Sequence, residues 1–357
     1  MKENQFLKHF SPMWFAVSMG IGGFANVLLH VFDGSDIIRF FVWILVVINI
    51  VFFTSFLVPW VMRWFTHYDD LSKDLKHPIF SNFFVTMPVA LMILATNIMN
   101  VFSSIVEKDK LMILIFVLWI IGAVLTIVFS VATTFNMMKK DSINPEMTNF
   151  AWFISPVANI LVPLLGNNVA KYYIGVNIDL AHFINFINLS FFGIGIVLFF
   201  ILGGIIFNRF LFHKMPGSMV LPSFYIMLGP IAIGTISLMG LANVNVSLGL
   251  LDSAKDISIL AVLLWGFGFW ALGLLLSLTI MYIKKDKISF SLSWWAFIFP
   301  VSAYVLATMN VYHYLHYEFI HVFAYGITFI LAILFLVTFA KTVKGIVYKT
   351  LFQPIHH

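Results

Sequence analysis

Residues 292–312 read LSWWAFIFPVSAYVLATMNVY, a run without one charged side chain. About 20 apolar residues are enough to cross a bilayer as a helix, so this run is a membrane span. Inside it stands Pro300, preceded by the pair Trp294-Trp295. An aromatic pair followed by a helix breaker occurs four more times: Trp14-Phe15 before Gly20, Phe83-Phe84 before Pro88, Trp152-Phe153 before Pro156, and Phe224-Tyr225 before Pro230. Successive breakers lie 68, 68, 74 and 70 positions apart. A period near 70 equals two membrane crossings with their loops. The chain therefore reads as five helical hairpins that all point the same way.

Composition agrees with that reading. Of 357 residues, 61% are hydrophobic and 10% charged, against about 25% charged in an ordinary soluble domain. This excludes a soluble globular enzyme, a disordered chain and a nucleic-acid binder. Long apolar runs, rather than short alternating strands, exclude a transmembrane β-barrel. Without cysteine there is no disulfide framework and no thiolate-held metal. Ten spans are expected, at 12–32, 37–60, 80–102, 111–135, 148–168, 180–211, 219–242, 257–283, 292–312 and 319–340. No polar domain interrupts them, so residues 1–357 form a single transmembrane domain. The first span is expected to be retained rather than cleaved.

Lysine and arginine set the orientation. Fifteen of the twenty, including Lys2, Lys8, Arg63, Lys139, Arg209, Lys284 and Lys341, fall at the two termini and the even-numbered connections. Arg39, Lys108, Lys110, Lys171 and Lys255 fall at the other end. The positive-inside rule puts both termini in the cytoplasm of a multi-pass protein.

The odd spans are the candidates for an inner ring. Proline frees a backbone carbonyl one turn earlier, and such a group is tolerated at membrane depth only where protein or a water-filled cavity satisfies it. Gly20, Pro88, Pro156, Pro230 and Pro300 are therefore expected to kink an inner ring around a central pore; plain helix packing is the alternative. Ser18, Thr86, Ser155, Asn159 and Ser302 are candidate pore-lining polar residues, with interhelical hydrogen bonding as their other use. No Asp, Glu, Lys or Arg lies at membrane depth. That argues against a proton-coupled carrier and against a carboxylate ring selecting cations. An uncharged, aromatic-rich lumen suits anions or neutral solutes and a hydrophobic gate. Phe297 and Phe299, just before Pro300, qualify for the gate, but residues two apart on a helix cannot both face the axis.

His313, His316 and His321, with Glu318, gather where spans nine and ten meet. An interfacial cluster, a pH-sensitive turn or a zinc ligand set are open readings, and no metal site or cofactor is expected. His356 and His357 are set aside.

His77-Pro78-Ile79-Phe80-Ser81-Asn82-Phe83-Phe84, Ala151-Trp152-Phe153-Ile154-Ser155-Pro156-Val157-Ala158-Asn159-Ile160, Trp294-Trp295-Ala296-Phe297-Ile298-Phe299-Pro300 and Trp14-Phe15 through Gly20-Ile21-Gly22-Gly23 resemble motifs of one family. It is the tellurite-resistance/dicarboxylate transporter family, whose members include bacterial tellurite-resistance proteins, fungal malate permeases and plant guard-cell slow anion channels. The resemblance runs in order over nearly the whole chain. It implies ten helices in five hairpins, a pore lined by the odd helices, and a homotrimer with one pore per subunit. It also implies that a phenylalanine of the ninth helix closes the pore, a role carried to Phe299 with Phe297 second.

The combined expectation is an all-α integral membrane protein of the plasma membrane. It would have no catalytic residues and no nucleic-acid partner, and would pass small anions through the lipid bilayer. C4-dicarboxylates such as malate, or inorganic monovalent anions, are the expected cargo. Export of toxic oxyanions or sulfite is the alternative, and a sensor with a vestigial pore is another.

Overall fold

The computed structural model describes residues 3–352; Lys2, His356 and His357 lie outside the described residues. Among them no strand occurs. Ten helices are long and apolar enough to cross a membrane: α1 Pro12–Val31, α2 Asp36–Thr66, α3 Phe80–Phe102, α4 Lys108–Met138, α5 Phe150–Ile174, α6 Ile178–Phe212, α7 Ser218–Ser247, α8 Lys255–Lys285, α9 Leu292–Leu315 and α10 Glu318–Val347. Short polar side chains start several of them. Ser35 caps α2 through Ile38 N, and Asn177 caps α6 through Leu180 N, satisfying donors that a helix start leaves free.

Odd and even helices occupy different places. The apolar stretches of the odd helices are 72–94% buried inside the protein, those of the even helices only 22–39%. Helix α1 packs on α3, α3 on α5, α5 on α7, α7 on α9, and α9 back on α1, so the five odd helices close a ring. Each even helix packs outside the ring, against its own hairpin partner and the next odd helix. The even helices run 30–35 residues, about 45–52 Å at 1.5 Å per residue. That exceeds a hydrocarbon core of about 30 Å, so every one of them protrudes or tilts, not the sixth alone.

Polar groups lock the ring. Asn97 Nδ2 donates to Gly22 O at 3.1 Å, Ser237 Oγ to Ile160 O at 2.8 Å, and Asn167 Nδ2 to Ser237 O at 3.1 Å. A second set of contacts recurs in four hairpins. Near the end of an even helix a long donor reaches a carbonyl just ahead of its own odd helix: Arg63 to Phe10 O, Asn136 to Leu75 O, Arg209 to Pro145 O and Tyr282 to Pro216 O, at 2.7–3.2 Å. These donors stand 73 positions apart along the chain. Arg63 is buried and also pairs with Asp74 at 2.7 Å.

Candidate functional site

All five odd helices contain a 3-10 turn at or just before the aromatic pair and then continue as α-helix. Pro88, Pro156 and Pro230 each occupy the third position of that α-helical part. These three prolines stand just past the passage from 3-10 turn to α-helix. Pro300 is different, standing at the sixth position of Trp295–Leu315. Gly20 lies within the unbroken helix Phe15–Val31. A Cβ on Gly20 would run into the Trp295 ring, so its lack of a side chain brings α1 against α9.

Where these N-terminal segments converge they enclose a cavity of about 60 Å³. Every odd helix contributes to its wall: Met19 from α1, Thr86 from α3, Val157 from α5, Ile226 from α7, and Phe299 and Pro300 from α9. The wall carries no titratable side chain. Its three hydroxyls are engaged: Thr86 with Pro12 O and Phe83 O, Ser223 with Val220 O, and Ser293 with Ser291. The cavity is thus apolar, and water is held weakly there.

The two gate candidates separate. Phe299 is in the wall and leans toward Gly23, where an added Cβ would sit 3.4 Å from Phe299 Cδ2 and 3.2 Å from Ser302 Cβ. Phe297 stands outside the wall, in the seam between α7 and α9, edge-on to Tyr225 at 4.8 Å. Both are 7% exposed. Trp295 fixes this turn of α9 by donating from Nε1 to Thr342 of α10 at 3.0 Å.

The polar candidates separate as well. Thr86 reaches the cavity. Ser18 donates to Asn49 of α2 at 2.7 Å, and Asn159 to Ser130 of α4 at 3.0 Å, so both serve helix contacts. Ser155 Oγ and Ser302 Oγ are buried without a protein partner, and Ser302 shares the Gly23 notch with Phe299. Gly23, Val157 and Ile226 were not singled out from the sequence. The Gly22-Gly23 pair was the one signal for such a notch; apolar residues on an apolar helix carry none.

At the same end a second cavity, of about 240 Å³, is bounded by Lys8, His9, Arg63, Asp70, Lys73 and Asp74. Burial pushes the Asp70 carboxyl up. The hydrogen bond from Lys73 and the charges of Lys8, Lys73 and Arg63 outweigh it and hold the group below its ordinary 3.8.

The profile of the SLAC1 family, described as voltage-dependent anion channels, matches residues 9–343. An uncharacterized transporter of Methanocaldococcus jannaschii is 30% identical over 98% of both chains. A sulfite efflux pump of Trichophyton rubrum is 25% identical over 97% of this chain and 93% of its own. A malic acid transport protein of Schizosaccharomyces pombe is 21% identical over 98% of this chain and 82% of its own. With ten membrane-spanning helices and this match over most of its length, the chain belongs to the SLAC1 family of anion transporters and channels, the family its motifs resemble.

Proposed function

We propose that the protein passes small anions passively through the five-helix ring, with Phe299 as the gate. The observation that carries the reading is the cavity to which all five odd helices contribute, with Phe299 in its uncharged wall. Five helix N-termini converge at that end, and their partial positive charge favours anions without fixing one tightly. The Lys/Arg excess at this end gives cytoplasmic termini and adds attraction for anions. Ser302 is the hydroxyl an anion meets once the Phe299 ring swings aside. Pro300, Pro88, Pro156, Pro230 and Gly20 shape the inner helices around the path. The protein acts by transport with no catalytic chemistry, in the plasma membrane, as a homotrimer with one path per subunit.

Current across a planar bilayer tests this, comparing wild type with Phe299→Ala under chloride, nitrate, malate and sulfite gradients. The variant is expected to conduct at least about tenfold more, because a hydrophobic plug is removed, with a reversal potential that follows the anion gradient. Silence of both, with malate uptake into liposomes, overturns the gate and favours a carrier cycle. Sulfite belongs in the series for a specific reason: the sulfite efflux pump is 25% identical to this chain and the malic acid transport protein 21%.

A further inference from the structure

At the opposite end of the ring the last turns of α1, α3 and α9 surround a vestibule of about 500 Å³. Its wall carries His30, Asp33, Asn100, Ser103 and His313. Both histidines are exposed. Sequence reading grouped His313 with His316 and His321; in the fold it lines the vestibule with His30 instead, which stands near the other end of the chain.

This end is unfavourable to anions. All five inner helices present their C-terminal, partially negative ends here. The connections at this end and their flanking turns hold five Lys and Arg against eight Asp and Glu, a net charge of −3. They also hold five histidines, and protonating all five takes the net charge to +2. Histidine is the side chain that changes charge between pH 5 and 8. His30 Nδ1 lies 2.8 Å from the Asn26 carbonyl oxygen. A carbonyl only accepts, so Nδ1 keeps its hydrogen in either charge state and Nε2 is the nitrogen that gains the proton.

We propose that this vestibule is an anion-capture site, loaded by small carboxylates or oxyanions when His30 and His313 are protonated. The inference rests on the reading of the ring as an anion path. The surrounding charges leave the imidazoles in control. Asp33 is the one carboxylate in the wall, and it pairs with Arg39 of α2 at 3.4 Å. Asn100 of α3 and Ser103 just after it add neutral polar groups. Helix α10 adds Tyr325, whose hydroxyl donates to Val31 O at 3.4 Å. Beside His313 lies the Tyr312 ring at 5.4 Å. Glu318 is engaged by the Tyr312 hydroxyl at 3.1 Å and by His321 at 3.8 Å.

The test is anion flux into liposomes with malonate or chloride as probe, the outer solution stepped from about pH 7.5 to about pH 5.5 at fixed inner pH. Wild-type flux is expected to rise roughly fivefold, the effect of about one unit charge at contact distance in water. The double variant His30→Gln/His313→Gln is expected to lose the rise. His30→Lys/His313→Lys is expected to keep high flux at both values. A conducting wild type with no rise, or an equal rise in the Gln pair, overturns the proposal. Histidine-labelled NMR on the solubilised protein reads binding apart from flux. Malonate bound to the charged imidazoles must raise their apparent pKa, and no such shift overturns the site. If that shift is present while Phe299→Ala and wild type conduct nothing, the vestibule stands and the anion path falls.

Discussion

Phe299 and Phe297 have the same chemistry and the same burial, yet two positions on a helix give them different neighbours. Phe299 faces a small cavity and a glycine; Phe297 faces Tyr225. Phe297→Ala is therefore expected to leave anion conductance near wild type and to destabilise the protein by about 3 kcal/mol, the low end for Phe→Ala in a packed core. Thermal unfolding together with the bilayer current checks the contrast with Phe299→Ala. Asp70 gives a pH prediction of definite sign. Its folded-state pKa lies below the unfolded one, so its contribution is present above the ordinary carboxylate value and is lost as pH falls through the folded value. Thermal stability is expected to fall below about pH 4, and Lys73→Ala, which removes the 3.2 Å ion pair, is expected to lower the stability at neutral pH and to shrink that fall, because the folded pKa returns toward the unfolded one. An acid limb unchanged in Lys73→Ala speaks against this pairing. Neither phenylalanine's neighbour was legible in the sequence. The composition around Phe297 and Phe299 is uniformly apolar, and only the direction of each ring distinguishes them.

Among the elements, the seam between α1 and α9 is the tightest place to probe. Gly20 leaves room for Trp295, and Trp295 is held by Thr342 of α10. Gly20→Ala is expected to cost about 1–3 kcal/mol, the usual price of overpacking, visible as a lower melting temperature. Adding Trp295→Phe, which shrinks the ring, is expected to return part of that loss. Strict additivity of the two changes would place the contact elsewhere. Sequence reading expected Gly20 to bend α1, because glycine is a helix breaker by propensity. Propensity describes an isolated helix, and the fold adds a further use, since the missing side chain makes room for Trp295. The prolines teach a similar lesson. Their recurrence identified the odd helices, but their effect depends on whether the preceding turn is α or 3-10, and that distinction is not written in the apolar pattern.

For the whole molecule, the even helices leave broad apolar faces uncovered, as their 22–39% burial records. Native mass measurement in detergent is expected to give three times the 40.7 kDa of one chain, as the trimer reading requires; a monomer at all concentrations counts against it. The ten helices and the SLAC1 family were both legible in the sequence, the family from its ordered motifs. Membrane helices need only length and hydropathy to form, since every backbone hydrogen bond is made within the segment. A quieter signal separated inside from outside: the odd helices have mean hydropathy 1.4–1.8, the even ones 2.3–3.0, because the ring-forming helices are richer in serine and asparagine than the lipid-facing ones. Only the tertiary structure decided where those polar groups point. It turned Ser18 and Asn159 toward the outer helices, set Phe299 in the wall of the cavity, and joined His30 to His313 across almost the full length of the chain. Those are contacts between distant segments, fixed by how helices rotate and close against one another, and one-dimensional hydropathy carries no information about rotation.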